Sequence, residues 1–100
     1  MPSLSVGVPH TLGQEEATRR LRARFGEVRN RFGEQIRDVQ EQWNDHELTF
    51  GFTAVGLRIQ GTVTSQDSEV TVTAKFPLVA MAFKGTIQQQ IRDELTNILA

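Results

Sequence analysis

One hundred residues, 38% of them hydrophobic and 23% charged, suffice for one domain with a thin core, because a chain of this size buries only about 60–70% of its unfolded surface. The formal charge of -1 gives no global attraction to nucleic acid or anionic membrane, and the lack of cysteine excludes disulfides, thiolate nucleophiles and Cys-based zinc sites together. The longest apolar run, Leu78 to Phe83, is far short of the ~20 residues of a membrane helix, and the first ten residues lack the form of a signal peptide, so a cytoplasmic single domain over residues 1–100 is expected.

Leu4, Val6 and Val8 alternate with Ser5 and Gly7 as in a short strand, which Pro9 ends. Thr11 followed by Gln14 fits a capping box, with Glu15 and Glu16 at the positive end of the helix dipole, so a helix is predicted from about Leu12. Its apolar stripe is Leu21, Phe25, Val28, Phe32, Ile36, Val39 and Trp43, which at 100° per residue falls within roughly 80° of arc. A helix from 12 to 43 would run ~48 Å, against ~30 Å for strands of eight or nine residues. It must therefore bend near Gly26 or Gly33, or overhang the sheet and need a partner, which makes a homo-oligomer the expectation.

Asn44 and Asp45 break that stripe. Three strands are predicted after it, from the alternation of Leu48, Phe50 and Phe52, of Leu57, Ile59, Gly61 and Val63, and of Val70, Val72, Ala74 and Phe76. Ser65–Ser68 reads as a good hairpin connection and Ala54-Val55-Gly56 as a weaker one. From Pro77 onward the chain reads as helix, with Ala80, Phe83, Ile87, Ile91, Leu95 and Ile98 on one side. The predicted fold is α+β in the order β-α-β-β-β-α: an antiparallel curved sheet with a long N-terminal helix and a C-terminal helix packed on one face.

Chemistry-bearing motifs are sparse. His10 and His46 stand at no metal-ligand spacing, and no phosphate loop, nucleophile elbow or Ser/His/Asp order is present. Acid pairs such as Glu15/Glu16, Glu34/Asp38 and Asp93/Glu94 sit on predicted water-facing positions, where nothing would raise a pKa for acid-base work. Neither an enzyme nor a cofactor or metal is expected.

Seven of the nine arginines lie between Arg19 and Arg37, and Arg22, Arg24, Arg29 and Arg31 border the apolar stripe. Their stems can cover the edges of the core while i,i+4 pairs such as Glu15–Arg19, Glu16–Arg20 and Glu27–Arg31 hold the heads, or the margins can clamp an acidic partner or second copy. Nucleic acid is not expected, because the predicted helix from 12 to 43 sets six acids against its seven arginines, with no aromatic interleaving on an open sheet face. Leu78, Met81 and Ala82 fall away from the stripe headed by Phe83. They can tuck beneath the first helix near Trp43 or form an exposed docking patch.

The order of features, with Pro9-His10-Thr11-Leu12-Gly13, Glu15-Glu16-Ala17 opening an Arg-rich helix, Trp43 before the meander, and a closing Phe83-Lys84-Gly85-x-Ile87-x-x-x-Ile91-x-x-x-Leu95 helix, resembles the polyhydroxyalkanoic acid system family over essentially the whole chain. The resemblance implies association with polyhydroxyalkanoate granules or their coat proteins, and brings no catalytic residues. The plan also looks like a reduced helix-grip fold, so a second reading is an acyl or lipid carrier with Phe50, Phe52 and Phe83 lining a pocket between sheet and last helix.

Overall fold

The computed structural model describes residues 3–100. In chain order it contains β1 (Ser3–Pro9), α1 (Gln14–Arg31), β2 (Ile36–Asn44), β3 (Glu47–Ala54), β4 (Leu57–Ser65), β5 (Glu69–Lys75), a 3-10 segment over Leu78–Phe83, and α2 (Lys84–Leu99). The class is α+β as expected, with five strands rather than four. They form one antiparallel sheet in the order β1-β5-β4-β3-β2. β2 to β5 is an up-and-down meander with short connections, and β1 closes on the last strand through pairs running from Ser3↔Lys75 to Pro9↔Glu69.

The main correction concerns the long first helix. α1 stops at Arg31, the chain turns through Phe32–Gln35, and Ile36–Asn44 is an edge strand. Ile36, Val39 and Trp43 imitate a helical 3,4 spacing for two local reasons. A bulge between Arg37 and Gln40, with Asp38 at φ 52, inserts an extra residue, so the strand's inward positions shift from 36 to 39. Glu41 then takes the next inward position, where its carboxylate accepts from the Trp43 indole N–H at 2.8 Å. A polar residue thus stands where period-2 alternation calls for an apolar one. With the helix shortened, the overhang no longer exists, nor does the argument from it for self-association.

The start of α1 is also displaced. Its N-cap is Gly13 at φ 83, not Thr11, and the first-turn N–H of Gln14 points at the Asp67 carboxylate of the β4–β5 turn, 3.4 Å away. The Gln14 side chain donates to the Ser65 carbonyl at 2.8 Å instead of reaching back to its own cap. His10, buried, ties the same turn: it accepts from Leu12 N–H at Nδ1 and so donates through Nε2 to the Gln66 carbonyl, both at 3.1 Å.

Both helices lie on one face of the sheet, but they cover it unevenly. The dense core joins Leu4, Val6 and Val8 of β1 and Val70, Val72 and Ala74 of β5 to Leu95 and Leu99 of α2 and to Ala17 and Leu21 in the first half of α1. β1's outer edge is covered by α2, whose Gln88 donates to the Ser5 carbonyl at 3.3 Å. Over β2–β4 the cover is thinner, given by the second half of α1 with one side of α2. There Phe25, Val28, Trp43, Phe50, Phe52 and Ile59 are only half-buried.

Candidate functional site: an apolar cavity and an apolar end

The uneven cover leaves a cavity of about 340 Å³ between the sheet and the two helices. Leu21, Phe25 and Val28 of α1 form one wall, and Ile87, Ile91 and Ile98 of α2 form the opposite wall. Trp43, Leu48, Phe50, Phe52 and Ile59 of the meander make the floor. The Phe50 ring lies 6.5 Å from Phe25 and 6.3 Å from Phe52, stacked at 19° on the latter. That floor depends on Gly61, which pairs with Phe50 across β3–β4: a Cβ there would stand 2.2 Å from the Thr73 carbonyl oxygen and 2.8 Å from the Phe50 ring. Among the described residues, no buried side-chain nitrogen or oxygen lacks a partner. The cavity is therefore greasy throughout, with no polar group waiting for a polar ligand.

Its charged rim consists of Arg24 and Glu94. Arg24 donates to Glu94 through Nε and to Glu27 at 3.1 Å, bridging α1 and α2. The Glu94 hydrogen bond foremost, with Glu27 adding to it, raises the guanidinium above its ordinary pKa. An empty void of this size would cost about 8 kcal/mol at the ~24 cal/mol per Å³ measured for closed cores. Partial opening to solvent makes that an upper figure, yet it is comparable to the whole stability of a small domain.

Of the pocket residues expected from the sequence, Phe50 and Phe52 line the cavity, whereas Phe83 is 61% exposed and lies outside it. The other arginine candidates are largely engaged within the chain. Arg22 stacks over Trp43 at 4.9 Å and donates to the Asp45 carbonyl, Arg29 pairs with Glu41 at 2.7 Å, and Arg31 sits over Phe32 at 5.8 Å. Leu78, Met81 and Ala82 are exposed on the 3-10 segment. They do not tuck beneath α1 near Trp43, because Trp43 pairs with Leu48 beside the β2–β3 turn and the 3-10 segment leaves the sheet at the opposite end.

That opposite end gathers what the sequence scattered. The large hydrophobic side chains standing exposed are Phe32, Val55, Leu78, Val79, Met81 and Phe83. Phe32 lies in the turn entering β2, Val55 caps the β3–β4 hairpin, and the other four follow β5. The pairings Ile36↔Ala54, Ala54↔Leu57, Gln60↔Lys75 and Ser3↔Lys75 place these three chain segments at the same end of the sheet. Arg31, Arg37, Arg58, Lys75 and Lys84 flank these segments in sequence, against Glu34 within one and Asp38 beside it, five basic groups to two acidic.

One arrangement has the outline of a catalytic triad: Thr18 Oγ1 lies 2.7 Å from His46 Nδ1, and His46 Nε2 lies 3.6 Å from Glu15. The Thr18 hydroxyl also has the Gln14 carbonyl as acceptor at 2.8 Å, and while it donates there His46 is the donor to it and draws no proton from it. Among the described residues no three His, Asp or Glu side chains converge as a metal site, and no helix is long and apolar enough to cross a membrane.

Comparison with curated proteins and with solved structures gave no significant match. The sequence profile of a family described as "putative polyhydroxyalkanoic acid system protein" matches residues 4–99, from the first strand to the end of α2. The chain belongs to the polyhydroxyalkanoic acid system protein family.

Proposed function

We propose that this is a non-enzymatic contact protein that acts in the cytoplasm and seats the apolar end of its sheet on the surface of polyhydroxyalkanoate storage granules. The observation that carries this reading is the convergence of Phe32, Val55, Leu78, Val79, Met81 and Phe83 at one end, where isolated exposed apolar residues would be scattered over the molecule. The excess of basic groups flanking the same segments suits a surface that is apolar beneath and anionic at its boundary, since both components then favour the same orientation. Val55 adds weight. It is 95% exposed and held at φ 52, a conformation a β-branched residue adopts only under strain. Arg22, Arg24 and Arg29 play no part in the contact, being engaged within the chain.

The double variant Leu78→Gln/Met81→Gln tests this reading. It is expected to lose co-sedimentation with isolated granules while keeping its circular dichroism spectrum and melting temperature, since both side chains are solvent-exposed. Undiminished sedimentation would overturn the assignment of the contact to this end.

A further inference from the structure

We propose that the cavity between the sheet and the two helices is a binding site for a single acyl or alkyl chain that carries an uncharged polar end group, hydroxyl or ester, held at the Arg24–Glu94 rim. The inference rests on the interior of the protein and does not need the granule contact.

Three features select that ligand. The lining contributes aromatic and branched aliphatic side chains from α1, the meander and α2, and its only charged members are at the rim. Nothing inside would repay the desolvation of a polar group, so the buried part of the ligand is hydrocarbon. Size sets the second limit. At roughly 30 Å³ for each water-sized group, 340 Å³ takes a chain of about ten carbons and excludes a bundle of polymer chains. The third feature is the rim. Arg24 lies between two carboxylates, Glu94 and Glu27, so the local charge is one positive against two negative. A free carboxylate arriving there meets a net negative charge and must compete for a guanidinium already engaged. A hydroxyl or ester can accept from Arg24, and a hydroxyl can also donate to Glu94, without either penalty.

The experiment uses an internal reporter. Trp43, the sole tryptophan, is part of the cavity lining, so a chain that enters quenches its fluorescence if it carries bromine. Bromine-labelled 1-decanol is expected to quench Trp43, unlabelled 1-decanol to raise the melting temperature, and decanoate to bind about tenfold more weakly than the alcohol. Val28→Phe and, separately, Ile91→Phe enlarge half-buried wall residues and should each abolish quenching in protein that still folds. Leu78→Gln/Met81→Gln should bind the alcohol normally, so that loss of granule contact and loss of chain binding are told apart. Absence of quenching by the brominated alcohol, or quenching unaffected by both wall variants, would overturn the site. Decanoate binding as tightly as decanol would overturn the assigned end group.

Discussion

Gly61 shows how a single hydrogen atom can shape the cavity. The missing side chain lets the Phe50 ring lie against β4, and the nearest obstacle to a Cβ is the backbone carbonyl of Thr73 at 2.2 Å, which cannot swing away. Gly61→Ala should therefore cost about 2–4 kcal/mol, through overpacking and displacement of the β4–β5 pair, and urea denaturation measures it directly. Glu16 is a second residue with a distinct signature. It accepts from Arg19 at 2.9 Å and from Arg20 at 2.8 Å, and these hydrogen bonds, Arg19's first, lower its pKa from 4.5 to about 2. A carboxylate whose folded pKa is depressed stabilises the fold above its unfolded value and loses that contribution as pH falls through the folded one. The contribution is thus complete above about pH 4.5 and lost progressively toward pH 2. Thermal melts across that window should show a shallower decline for Glu16→Gln than for the wild type. The remaining links of Arg20, to the Ile98 and Ala100 carbonyls at 3.1 and 2.7 Å, tie this cluster to the end of α2.

Among the elements, the β3–β4 hairpin carries a conflict between stability and exposure. Its two-residue turn has positive φ at both Val55 and Gly56, 52° and 77°, the geometry for which Asn-Gly is the favoured pair. Val55→Asn should raise stability by about 1 kcal/mol, the cost of holding a β-branched residue in the left-handed region. The same variant should weaken granule association, because it removes an apolar side chain from the contact end. A rise in melting temperature with unchanged granule binding would exclude Val55 from that contact. β2 illustrates the opposite relation between sequence and element. Its bulge at Asp38 blunts an edge strand whose outer side has no paired strand among the described residues, protecting it from edge-to-edge pairing. The same bulge produced the 3,4 spacing that imitates a helix. Two stop signals stood nearby: Gly33, and the mismatch between a ~48 Å helix and ~30 Å strands. The chain resolves that mismatch by turning at Phe32–Gln35, not by bending a continuous helix.

For the molecule as a whole, the division of labour follows from two helices of 18 and 16 residues covering five strands. α2 and the first half of α1 pack the β1–β5 side into a dense core, and this leaves the β2–β4 side more thinly roofed over a cavity. The apolar end and the cavity are accordingly separable. Substitutions in the exposed 3-10 segment should leave chain binding intact, and wall substitutions on Val28 or Ile91 should leave granule sedimentation intact.

Local physics made much of this legible in the amino-acid sequence. Alternation marked β1 and β3–β5, the 3.6-residue period marked α1 from Leu21 onward and all of α2, and Asn44-Asp45 and Ser65–Ser68 marked turns, because such patterns depend on neighbours within a few residues. Alternation placed Phe50 and Phe52 on one face of their strand, while the idea of a pocket there came from the likeness to a helix-grip fold. The fifth strand, the Asp67 cap on α1, the displacement of Phe83 from the cavity, and the gathering of Phe32, Val55 and Leu78–Phe83 at one end were decided only by tertiary structure. Each depends on strand register and on which residues the fold brings together, as far apart as the 53 positions between Gln14 and Asp67, a distance over which no local periodicity carries information.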